Sequence, residues 1–130
     1  MLIAAERRTL RFDAWLESLV DEPVAISAIT ASELLHGCHR ATNPAVRARR
    51  SAFVEALLDA IPTLPFGLAE ARLHAEIWAE LARGGSAIGA HDLLIAASAM
   101  TRGYSVASLN QRDFARVAGL QVVAIDAFLV

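Results

Sequence analysis

The sequence predicts an α/β layer fold around a mostly parallel sheet, and three observations carry that expectation. Short apolar runs of strand length, at residues 24–29, 104–108 and 121–125, alternate with longer segments whose apolar residues recur at helical spacing. Glycine or proline marks most junctions between the two kinds. The chain has 130 residues, 55% of them hydrophobic and only 6% aromatic. That is enough for one domain, residues 1–130, to bury a core of Ala, Leu, Val and Ile without disulfides or structural metal. Strands joined through helices pair in parallel, and such sheets bind their ligands beyond the carboxyl ends of the strands.

Taken in order, residues 1–5 are apolar enough for a strand cut short by the start of the chain. Residues 12–20 carry Phe12, Trp15, Leu16 and Leu19 at helical spacing, and Asp21-Glu22-Pro23 ends that helix. A buried strand over 24–29 follows. Thr30-x-x-Glu33 has the form of a capping box that opens a helix running to about Arg40. Asn43-Pro44 starts the next helix, with Val46, Phe53, Val54, Leu57 and Leu58 on its inner face. Residues 61–66 contain Pro62 and Pro65, so a strand there belongs at a sheet edge, where a missing donor costs little. Residues 68–83 form a long amphipathic helix ended by Gly84-Gly85. A helix from Gly89 follows, nearly all apolar and stopped at Gly103. A strand over 104–108, a short helix over 110–117 and a last strand over 121–125 complete the chain. No repeat, linker or low-complexity tract interrupts it.

Net charge is −2 and all 12 basic residues are arginines, so overall charge carries no nucleic-acid signature. No charge-free apolar run approaches the roughly 18 residues a membrane span needs. The N-terminus has its apolar residues before its charges, the reverse of a secretory signal, and the single Cys38 suits a reducing compartment. A cytoplasmic protein with no membrane partner is expected.

Three acids fall where a parallel sheet works: Glu33 after the strand ending near Ile29, Asp113 after the strand ending at Ser108, and Asp92 in the first turn of the apolar helix. Each has an ordinary structural role available. Glu33 can complete the box with Thr30, Asp113 can do the same with Asn110 as cap, and Asp92 gains from the positive end of its helix. Together, however, three carboxylates at one end of a sheet repel unless a cation sits among them. Oxygen ligands without thiolate or imidazole suit Mg²⁺ or Mn²⁺.

The stretches Ile29-Thr30-Ala31-Ser32-Glu33-Leu34-Leu35-His36-Gly37, Gly89-Ala90-His91-Asp92-Leu93-Leu94-Ile95-Ala96-Ala97 and Ser108-Leu109-Asn110-Gln111-Arg112-Asp113-Phe114 resemble, in this order, the three motif blocks of PIN domains, specifically VapC-type toxins. The resemblance runs over nearly the whole chain and implies a three-layer α/β/α domain with a truncated first strand. It further implies a Mg²⁺- or Mn²⁺-dependent endoribonuclease that leaves 3′-hydroxyl and 5′-phosphate ends and is held in check by a VapB-type antitoxin. Homodimers are the family's habit. Glu33, Asp92 and Asp113 match the family's metal-binding acids, Ser108 stands where the family usually has Thr, and Asn110 matches its polar site residue. A metal-activated water would attack the phosphodiester, so no side-chain nucleophile is required.

The family also opens with a strand carrying an Asp before Thr or Ser, and that acid has no counterpart here. Glu6 and Asp13 lie too far along to replace it. A start assigned too late, or a truncated chain, is the expected reason. On that expectation the 130 residues bind Mg²⁺ more weakly than an upstream-extended version. The alternative is a catalytically impaired PIN-like module that retains antitoxin binding. Of the remaining chemistry, Glu33, His36, Cys38 and His39 do not complete a tetrahedral zinc set. His91 diverges from Asp92 and reads as supporting or surface. Arg40, Arg47, Arg49 and Arg50 read first as a solvated helix face and second as a contact for RNA or antitoxin. Trp15, Phe53 and Trp78 read as core before dimer contact.

Overall fold

The computed structural model describes residues 2–3, 24–108 and 111–124. Within them β1 (Leu2–Ile3), β2 (Ala25–Ser27), β3 (Thr63–Leu64), β4 (Val106–Ser108) and β5 (Val122–Ala124) form one parallel sheet in the order β3-β2-β1-β4-β5. Helices α1 (Ala28–Arg40), α2 (Pro44–Ala60), α3 (Leu68–Arg83), α4 (Ala90–Thr101) and α5 (Gln111–Phe114) connect the strands in the three-layer α/β/α architecture expected. Leu2 is in register with Ala25 on one side and Val106 on the other, which puts β1 at the centre. Every residue of β2 and β4 is buried, as central parallel strands covered on both faces require. Between its two prolines, β3 takes the edge position.

The start of α1 corrects one expectation. The predicted strand over 24–29 ends at Ser27, whose backbone is extended and whose Oγ accepts the Thr30 N–H at 3.0 Å. Ser27 is therefore the cap, and Thr30 lies inside the helix with its own hydroxyl accepting from Ser27 Oγ at 3.1 Å. The reason is local: two hydroxyl residues three apart can each cap, and the one at the strand end wins because its φ and ψ are already non-helical. The Thr30–Glu33 capping box is thus overturned. Asn43 caps α2 as predicted, accepting from Ala45 and Val46 with Pro44 in the first turn.

The core sits where α4 crosses the sheet. Leu93, Ile95 and the run Ala96–Ala99 are buried, and Ala96, Ala97 and Ala99 let the helix lie close to Ala25, Val106 and Phe114. The hydroxyls this helix carries inward are satisfied along its own backbone, Ser98 donating to the Leu94 carbonyl and Thr101 to that of Ala97. Glu70 joins α3 to the far end of α4: it accepts from Gly67 N–H at 3.0 Å and faces Arg102 at 3.6 Å. Its carboxyl is held below the usual range chiefly because its own and Gly67's backbone N–H groups favour the ionised form. The stability it contributes is present near neutral pH and is lost as pH falls through that lowered value.

Other expectations shift at the edges. The strand predicted over 104–108 is Val106–Ser108, and the helix predicted over 110–117 is the single turn Gln111–Phe114. Phe53 is 45% exposed and Trp78 62%, so neither is core. The helix predicted over 12–20 with Trp15, and Ile125 of the last strand, lie outside the described residues. Among the described residues no helix is long and apolar enough to cross a membrane.

Candidate active site

Two of the three sequence-predicted acids are carried by segments that follow β2 and β4, the strands on either side of β1, and the third lies in the first turn of α4. Glu33 lies one turn into α1 after β2, Asp113 lies in α5 after β4, and Asp92 is the third residue of α4, after Gly89. The Asp92 carboxylate folds back toward the start of its own helix: a methyl group placed on Gly89 would stand 3.7 Å from its Oδ2.

The other two acids converge on the Asp92 segment from opposite sides. On one side Glu33 Oε2 lies 3.8 Å from Nδ1 of His91, the residue just before Asp92. On the other, Arg116 Nη1 donates to the carbonyl of Ala87 at 2.6 Å and stands 3.8 Å from Asp113 Oδ1. One guanidinium so ties the α5 segment to the turn that leads into α4. Ser108 is fully buried at the end of β4, directly beneath this region, and Ser27 is its buried counterpart on β2. Asn110 lies outside the described residues. Cys38 is buried and donates its thiol to the Leu34 carbonyl.

With the capping box gone, the local structural reason for Glu33 is gone too. A half-exposed acid on the second turn of α1, facing His91 of another helix, is placed by tertiary structure. In kind, the donor set of Glu33, Asp92 and Asp113 is all carboxylate, as a hard divalent cation prefers. Among the described residues no three His, Cys, Asp or Glu side chains close into a group that could hold an ion unaided. Mg²⁺ does not ask for that, since it is commonly held by one or two carboxylates and keeps several waters.

Arg116 escaped the sequence reading, although its spacing of three from Asp113 on a helical turn was a signal available there. Its bond to Ala87 spans 29 residues and was not. Replacing Arg116 by Met keeps the stem and removes the fork. Because the side chain is 44% exposed, stability should fall by less than about 1 kcal/mol. Divalent-ion affinity should fall further, roughly 10- to 100-fold, as for other groups that hold a ligand in place. Calorimetric titration of Mg²⁺ into both proteins checks this, and equal affinities would show that Arg116 does not position Asp113.

Comparison with known proteins gives a consistent set of likenesses. The pattern of the PIN domain family matches residues 1–120. Ribonuclease VapC1 of Rickettsia felis is 37% identical over 127 residues, covering 98% of this chain and 92% of that protein. The tRNA(fMet)-specific endonuclease VapC of Shigella flexneri is 36% identical over 98 residues, 75% of this chain and 72% of its own. Among solved structures, VapBC2 from Rickettsia felis bound to a DNA fragment from its promoter superimposes with a TM-score of 0.80 at 25% identity, over 88% of this chain and 85% of that one.

Proposed function

This chain belongs to the PIN-domain family, as a VapC-type member, and on that footing we propose that it is the endoribonuclease toxin of a toxin–antitoxin pair. The observation that carries the proposal is the convergence of Glu33, through His91, and of Asp113, through Arg116, on the helix start that bears Asp92. Asp92 and Asp113 would hold a Mg²⁺ or Mn²⁺ ion, with Glu33 completing the set or orienting the attacking water. When bound, such an ion supplies positive charge to the reacting phosphodiester and acidifies water for attack. The chain's own residues do the rest: Arg116 ties the α5 segment to the turn before α4, and the buried strand ends at Ser27 and Ser108 support the site.

A VapB-type antitoxin is the proposed partner, in keeping with the VapBC assembly of the structural relative. A second copy of the chain is proposed as well, for which exposed Leu68 and Trp78 on α3 offer apolar surface. RNA makes the cytoplasm the expected place of action. The test is cleavage of a mixed tRNA pool by the purified chain with Mg²⁺, with Mn²⁺ and with a chelator. Cutting only with the metals, leaving 5′-phosphate ends, is expected. Cutting undiminished by chelator would remove the metal from the proposal. A folded chain that cuts under no condition yet binds antitoxin would be the impaired module instead.

A further inference from the structure

A groove of about 590 Å³ lies between α1 and α2 and ends at the candidate active site. Arg40, Arg49 and Arg50 line it together with Phe53, while Glu33 and His91 border it. We propose that this groove is the track for the single-stranded RNA on one side of the cut, with the arginines on its phosphates and the Phe53 ring against a base. The proposal rests on the ribonuclease reading and deepens it.

Charge complementarity chooses the occupant. Three arginines and a single acid line the groove, and that acid, Glu33, sits beside His91, which α4 contributes. A polyanion threaded along the arginines would be delivered to the acids. Arginine's planar fork matches phosphate oxygens in pairs. Phe53, 45% exposed in the same groove, adds apolar aromatic surface, which a nucleobase uses and an acidic side chain does not. The volume is within the range of sites that hold a small molecule, room for a nucleotide or two of a splayed strand.

Two further details separate this groove from an ordinary charged helix face. Arg47, from the same run, is occupied structurally: its Nε donates to the Ala41 carbonyl at 3.0 Å and its Nη2 to that of His39 at 3.3 Å, tying the α1–α2 turn. It does not line the groove, so the arginines divide into one that holds the turn and three that face the cavity. Gly37, in the middle of α1, lines the groove as well, and a methyl group there would meet nothing within 4 Å. Packing does not require glycine at that place, where it disfavours the helix. A ligand passing close to the backbone would give that glycine a reason.

The experiment measures binding of a fluorescein-labelled single-stranded RNA 12-mer by anisotropy, in chelator so that nothing is cut, over a range of salt. Arg49→Gln/Arg50→Gln should weaken binding at least tenfold. It should also flatten the slope of log K against log salt by about 1.4, two phosphate contacts at roughly 0.7 each. Phe53→Ala should weaken binding on the order of tenfold with the slope unchanged, because stacking releases no counterions. In the cleavage assay both variants should raise KM and leave kcat within a few-fold. These side chains are exposed, and unchanged melting temperatures will show that the variants fold. Unaltered RNA affinity and slope in both variants would overturn the proposal, and loss of binding to a polyglutamate peptide in their place would assign the groove to an acidic protein segment. Absence of cleavage by the parent chain, with groove binding intact, would count against the nuclease reading alone.

Discussion

Asp92→Asn is expected to lower RNA cleavage by on the order of 10²–10³-fold in kcat, about 3–4 kcal/mol of lost transition-state stabilisation, while leaving the fold almost untouched. The substitution keeps size and shape and removes one charge. Asp92 is only partly buried, in the first turn of α4, so the stability it supplies as a helix-start acid is roughly 0.3–1 kcal/mol. Those two magnitudes separate the readings of this residue. If Asp92 were merely a helix-start acid, the variant would lose a few degrees of melting temperature and keep its activity. If it holds a cation, the variant keeps its melting temperature in chelator but no longer gains stability when Mg²⁺ is added, because a ligand stabilises only the state that binds it. Thermal melts with and without Mg²⁺, beside single-turnover cleavage, distinguish the cases. Activity within a few-fold of the parent would end the assignment of Asp92.

Punctuation was the most readable level of the sequence. Asn43-Pro44 and Gly103 announced their helix ends because capping and positive φ depend on one or two residues, and Gly103 does adopt a φ of +71°. The edge position of β3 followed from its flanking prolines for the same reason. The cap of α1 was misplaced because Ser27 and Thr30 are chemically equivalent for the task, and only the end of strand pairing at Ser27 decides between them. Phe53 and Trp78 were misread because period 3.6 identifies a face without saying what covers it. The acids of the site were legible as types at positions, since each follows a strand or starts a helix. Their supports were not. The contact of His91 with Glu33 crosses 58 residues of sequence, and that of Arg116 with Ala87 crosses 29, so neither leaves a local trace.

Phe114→Ala should cost about 3–5 kcal/mol, the largest stability loss expected from any single truncation here. Phe114 is fully buried and is the largest completely enclosed side chain among the described residues, packed into the cluster formed by α4, Val106 and Val117. For a domain of this length such a loss lowers the melting temperature by on the order of 10 °C, a large part of a total stability of roughly 5–15 kcal/mol. The consequence reaches the site because Phe114 is the neighbour of Asp113 in a helix of one turn. Four residues cannot hold helical structure by themselves, so the buried ring and the Arg116 bond to Ala87 help to place Asp113. Urea titration should therefore show a lower midpoint, and cleavage measured well below that midpoint should fall too, with weaker Mg²⁺ binding. Phe114→Leu, which refills much of the cavity, should recover most of both quantities together. Stability lost without any loss of metal affinity would mean that the Phe114 ring does not position Asp113. A fall in midpoint corresponding to less than about 1 kcal/mol would contradict the burial of the ring itself.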